Sequence, residues 1–300
     1  MPLGRRELLV AGFRTAAGSG SLAATDAVYC PDPHSHGQRF PMFRWLSRRR
    51  RATLRQTALP AEWTAIIDRN VPYASRLNAA DGAELAGHVQ VFLAEKSFEG
   101  CDGLEMTDEI RVTIAAQACI LLLHRETDYF AKLVSILVYP STYVVPGGQH
   151  VGAGMISLEE EARLGESWIS GVVVLVWDSV LAGARDMHDG HNVVLHEFAP
   201  QLDQEDGASD GAPILPRHSR YVAWARVLGN DFNALVESTH RGDRGVIDRY
   251  GATNPAEFFA VVTEAFFEKP RQLKSKHPEL YEQLQGYYRQ DPLAILEGAG

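Results

Sequence analysis

The segment Pro255–Glu268, "PAEFFAVVTEAFFE", sets the tightest condition on how this chain folds. Asn254 offers an N-cap and Pro255 suits a first turn, so the segment reads as a helix. Glu257, Glu264 and Glu268 recur along one stripe, and Phe258, Val262 and Phe266 form an apolar stripe beside it. A carboxylate carried on so apolar a helix needs a partner, and a metal ion or another cation supplies one.

A second segment, "NVVLHEFAPQLDQEDG" from Asn192, points to where such a cation would be held. In an HExxH helix two histidines one turn apart ligate one zinc, and the glutamate between them acts as general base. Here His196 and Glu197 follow an apolar run, but one turn on stands Pro200, which has no donor atom. Proline also lacks the N–H that would bond the carbonyl of His196, and inside a helix it costs about 3 kcal/mol or more. The helix expected over about 192–203 should therefore bend or end near Ala199. His188 and His191 precede it, and His191 is off the helical step from His196. Asp203 shares the face of His196, with a bond to nearby backbone or to a basic group as its plainer role.

The remaining chain reads as α+β, with helices around a small mixed sheet. "LVSILVYP" (Leu133 to Pro140) and "GVVVLVW" (Gly171 to Trp177) are short β-branched runs bounded by turn residues, hence strands. Asp81 with Glu84 forms a capping box for one helix, and Thr107 caps the next. Further helices fall at about 217–240, 254–268 and 277–288. Residues 1–41 are rich in Gly, Ser, Ala and Pro without a sustained period and read as a disordered or mis-assigned extension. A single domain is expected over 42–292, with 293–300 as a tail.

Composition narrows the classes. With 29 basic against 38 acidic residues, the net charge of −9 is poorly suited to non-specific nucleic-acid binding. The basic run "RWLSRRRR" (Arg44 to Arg51) reads as a solvated segment end. Three cysteines without a CxxC suggest neither a disulfide framework nor a thiolate zinc site, and fit a cytoplasmic protein. No apolar stretch reaches the ~18 residues of a membrane span. The short apolar part of "RRELLVAGF" is a poor export signal.

From Met42 to Pro292 the chain resembles the Mlc titration factor A family of zinc peptidases. The resemblance is carried by "TALP", "ILVYPSTYVV", "GVVVLVWDSV", "GHNVVLHEFA", "QLDQEDGASDGAPILP" and "YGATNPAEFFAVVTEAFFEKP". It implies a zincin-like fold similar to the protease domain of anthrax lethal factor. By position, it makes His196 the first Zn2+ ligand, Glu197 the general base and Glu257 the third protein ligand. Tyr250 would place a phenol near the substrate carbonyl to stabilise the oxyanion. Glu264 is the next candidate ligand, or a carboxylate orienting His196. Where the family has its second histidine, this chain has Pro200.

The resemblance implies a zinc-dependent, aminopeptidase-like metallopeptidase acting on peptides, with metal binding weakened in this copy by Pro200. The alternative is a non-catalytic regulator that sequesters a Mlc-like transcriptional repressor of sugar uptake. The strand "GVVVLVW" could serve as an edge for an extended peptide.

Overall fold

The computed structural model describes residues 41–141, 171–206, 210–215 and 218–298. The extension expected over 1–41 lies, up to residue 40, outside the described residues. The chain then opens in helix α1, Pro41–Gln56. Arg48, Arg49 and Arg50 are exposed on it, whereas Arg51 grips Glu95 with both prongs at 2.8 and 2.9 Å and also pairs with Asp128. Within the basic run, Arg48, Arg49 and Arg50 are thus exposed, and Arg51 fastens α1 to the body.

Helix α2 (Ala61–Asn70) leads through a 3-10 turn to α3 (Ala79–Glu95). The cap of α3 is Asn78, whose Oδ1 accepts from the amides of Ala80 and Asp81 at 2.9 and 3.0 Å. The Asp81–Glu84 capping box is thus displaced: Asp81 lies in the first turn, and its carboxylate accepts from Asn78 Nδ2. Asparagine one turn earlier reaches two free amides at once, which a cap at Asp81 could not do without shortening the helix.

Strand β1 (Ser97–Gly100), helix α4 (Asp108–Ile120), β2 (Ser135–Tyr139) and β3 (Val172–Val176) follow. Thr107 caps α4 as expected, its Oγ1 accepting from the Ile110 amide. The described strands form a parallel sheet in the order β1-β2-β3, with Ile136 opposite Val173, so the sheet expected as mixed is parallel over these residues. A parallel pair cannot be joined by a hairpin, and α4 makes the crossover from β1 to β2. Among the described residues β3 is an edge. Ile136, Val138, Val173 and Leu175 bury their side chains.

The second half is helical: α5 (Trp177–Arg185), α6 (Val193–Asp203), α7 (His218–Arg241), α8 (Pro255–Glu268), α9 (Pro270–Lys276), α10 (Pro278–Tyr288) and α11 (Pro292–Glu297). Leu293, Ile295 and Leu296 of α11 pack against the core, so packed structure continues past the boundary expected at 292. Helix α8 is buried from Phe258 to Glu268 and packs chiefly on α6. No described helix is long and apolar enough to cross a membrane.

Helix α6 does not end at Ala199; it runs through Pro200 to Asp203. Of the bend or end expected near Ala199, the end does not occur, because this turn is anchored by packing. Phe198, Ala199 and Leu202 are buried, and Asp203 Oδ2 accepts from the Gly211 amide at 2.8 Å. Those anchors offset the lost backbone bond.

Phe198 meets Phe130 edge to face at 5.0 Å and Phe92 at 5.7 Å, joining α6 to α3 and to the turn before β2. Phe198→Ala should lower stability by about 3–5 kcal/mol, as fully buried aromatics do. Urea denaturation followed by fluorescence checks this, and a loss below about 1 kcal/mol would show that α6 is held elsewhere.

Candidate metal centre

The site is assembled from the ends of two helices. Asn192 caps α6, its Oδ1 accepting from the amides of Val194 and Leu195, both at 3.1 Å. Its Nδ2 donates to Gln117 Oε1 on α4 and to the carbonyl of Gly183 on α5. Gly183 permits this approach: a Cβ there would lie 2.9 Å from the His191 carbonyl. Asn254 caps α8 by accepting from the Glu257 amide, which fixes Glu257 in the first turn.

Glu264 joins the two helices. Its Oε2 accepts from the Asn192 amide and its Oε1 lies against His196 Nδ1, each at 2.7 Å. The other ring nitrogen, Nε2, is 3.1 Å from Glu257 Oε2. His196 and Glu264 are buried, while Glu257 keeps a quarter of its side chain open. Burial opposes a charge on the imidazole, but the hydrogen bonds to Glu257 and Glu264, with the charges of Glu264 and Glu197, outweigh it. The His196 pKa is pushed up to about 10.

The structure therefore brings His196, Glu257 and Glu264 into contact, and Tyr250 beside them with its ring centroid 5.8 Å from that of His196. Tyr250 is held on a short 3-10 turn, Arg249–Ala252, capped by Asp248. Glu197 is half-buried on the same helix. Asp203 is turned to the loop at Gly211, whose positive φ and closeness to the Pro255 carbonyl suit glycine alone. His188 and His191 are exposed on the loop before α6.

His196 and Glu257 offer two donors to a cation, and Pro200 offers none. Among the described residues no third His, Cys, Asp or Glu completes a cluster with them at 4.8 Å. Catalytic sites of this kind use three protein ligands, so the residues present fit a metal only in part.

A buried imidazole followed by a glutamate on one helix, set against carboxylates of a second, is consistent with a metallopeptidase-like domain. The chain belongs to the glucose-regulated metallo-peptidase M90 family, whose sequence model matches residues 43–289. It is 40% identical over 250 residues to an uncharacterized protein of Synechocystis sp., covering 83% of this chain and 90% of that one. It is 30% identical over 262 residues to the Mlc titration factor A of Yersinia pestis and of Yersinia pseudotuberculosis, covering 85% of this chain and 93% of theirs.

Sequence reasoning did not find Asn192 and Gln117, which support the pair from behind. Neither type is diagnostic, and Gln117 lies inside an apolar run. Glu268 was visible on the stripe but without a role. It is 4% exposed, its Oε2 has no hydrogen-bond partner, and it lines a cavity of about 20 Å³ with Tyr73, Gln117 and Asn192. Burial, and the charges of Asp189 and Glu264, outweigh a hydrogen bond from Asn192 and push its pKa up to about 9.

The sign follows from linkage. Folded Glu268 holds its proton between pH 4.5 and about 9, where the unfolded chain has released it. Stability from this group is full below pH 4.5 and is lost as pH rises toward 9, by at most about 1.4 kcal/mol per unit. Glu268→Gln should remove that slope and raise the melting temperature at pH 8 more than at pH 5. Equal shifts at both pH values would show that Glu268 is ionised in the fold.

Proposed function

We propose that the chain is a zinc-dependent, aminopeptidase-like peptidase of its family, impaired in this copy by Pro200. The observation that supports this most directly is the division of the two His196 nitrogens. Glu264 takes Nδ1 and so turns Nε2 toward Glu257. In this reading His196 and Glu257 are the two remaining zinc ligands, and Glu264 orients the ring. Glu197 is the general base, and the Tyr250 phenol donates to the developing oxyanion. Asp203 acts on the loop through Gly211. With one donor missing, affinity should fall by at least the ~10–100-fold that a lost supporting partner costs.

Pro200→His adds an imidazole one turn from His196 and restores a backbone donor. The substituted protein should hold about one zinc per chain more than the parent, melt higher with metal than with chelator, and hydrolyse aminoacyl reporter substrates faster than the parent. If the parent holds as much zinc as the substituted protein and turns over as fast, the impaired reading is wrong.

In the Pro200→His background, Glu257→Gln should abolish the zinc equivalent that Pro200→His adds over the parent, and Glu264→Gln should weaken it less. Elemental analysis of dialysed protein decides between them, and the reverse order would make Glu264 the ligand.

The incomplete donor set also favours a second reading, a cytoplasmic, non-catalytic regulator that sequesters a repressor of sugar uptake. The name of the Yersinia relatives, Mlc titration factor A, supports this. Such a role would be unmoved by His196→Ala, which calorimetry with a purified Mlc-type repressor can measure.

A further inference from the structure

A separate group of donors is built from other elements. Asp81 and Glu84 stand three residues apart on α3, with side chains 13% and 23% exposed. His124, on the turn after α4, sets its ring between them. Nε2 lies 3.3 Å from Asp81 Oδ1 and Nδ1 lies 3.5 Å from Glu84 Oε2. The backbone of His124 is itself held: its amide donates to Glu84 Oε1, and its carbonyl accepts from Arg289 Nη1. Behind them His88 is fully buried, its Nε2 3.3 Å from Glu84 Oε1 and its Nδ1 2.9 Å from the Tyr129 hydroxyl.

Two features point to a cation. When one ring nitrogen of His124 keeps its N–H for one carboxylate, the lone pair of the other faces the second carboxylate, where an ion can lie between them. The separations are also longer than the ~2.7–2.9 Å of charge-assisted hydrogen bonds. Ligands bound at ~2.0–2.1 Å around a tetrahedral ion sit about 3.3–3.4 Å apart, and this is the spacing of Asp81 Oδ1 and His124 Nε2. One ligand atom from each of Asp81, Glu84 and His124 lies within 4.8 Å of the others.

We propose that Asp81, Glu84 and His124 form a second metal site, for a divalent ion of zinc type, completed by water on the exposed side. One nitrogen and two carboxylates suit a borderline ion better than a soft one. The ion would tie the first turns of α3 to the turn after α4. Arg55, whose Nη2 is 3.5 Å from Glu84 Oε1 and whose side chain is 43% exposed, yields that carboxylate by swinging into solvent.

The test uses the full chain carrying Glu257→Gln, which removes a donor from the His196 centre. Chelator-treated protein is titrated with Zn2+ by calorimetry and with Co2+ by visible absorption. About one ion per chain should bind tighter than ~100 µM. Asp81→Asn and His124→Gln should each weaken binding about tenfold or more, with the far-ultraviolet circular dichroism unchanged. Binding no tighter than ~100 µM, or equal binding in both variants, overturns the proposal and leaves His124 as an ordinary partner of two acids.

Discussion

The carboxylate of Glu264 is the interaction on which the arrangement of α6 and α8 depends. A carboxyl group so deeply buried is costly unless its oxygens find partners, and both do, at the Asn192 amide and at His196. One oxygen thereby fixes where α6 begins relative to α8, and the other fixes which way the imidazole faces. The support then extends outward. Asn192 caps α6 and binds α4 and α5 through its amide nitrogen, so the ring orientation is tied to four helices.

Pro200 separates two properties that a histidine at that position would combine. For folding, its cost is local: one backbone bond and a crowded turn. Helix α6 is held at its start by Asn192, at its middle by Phe198 among aromatic rings, and at its end by Asp203 on the Gly211 loop. These anchors let the helix run through the proline. For metal chemistry, among the described residues neither His191 nor Asp203 completes a cluster with His196 and Glu257.

Much of this was legible in the sequence because it rests on local rules. Two β-branched runs between turn residues became β2 and β3, and Asn254 followed by Pro255 marked the start of α8. The carboxylate stripe on an apolar helix anticipated the need for a partner, and spacing put Glu257 and Glu264 on the same side of it. What escaped depends on tertiary contact. Asn78, not Asp81, caps α3, because reach to two amides is decided by backbone geometry. The proline penalty was judged without the packing that opposes it. His124 meets Asp81 and Glu84 only because α3 and α4 pack together, and no short-range pattern joins residues so far apart in the chain.

Against burial, hydrogen bonds to two carboxylates set the proton affinity of the His196 ring. Around His196, Glu264 at 2.7 Å and Glu257 at 3.1 Å leave the ring a strong base. A cation entering there would have to displace a proton from Nε2, because only the neutral nitrogen ligates. Each unit by which that pKa exceeds the ambient pH adds about 1.4 kcal/mol to the displacement. Three protein donors would repay this with one more metal bond than two. The proton's hold on His196 is the same in either case, since it comes from the carboxylates and not from residue 200. The same carboxylates that orient His196 thus also favour the proton that competes with a cation for Nε2.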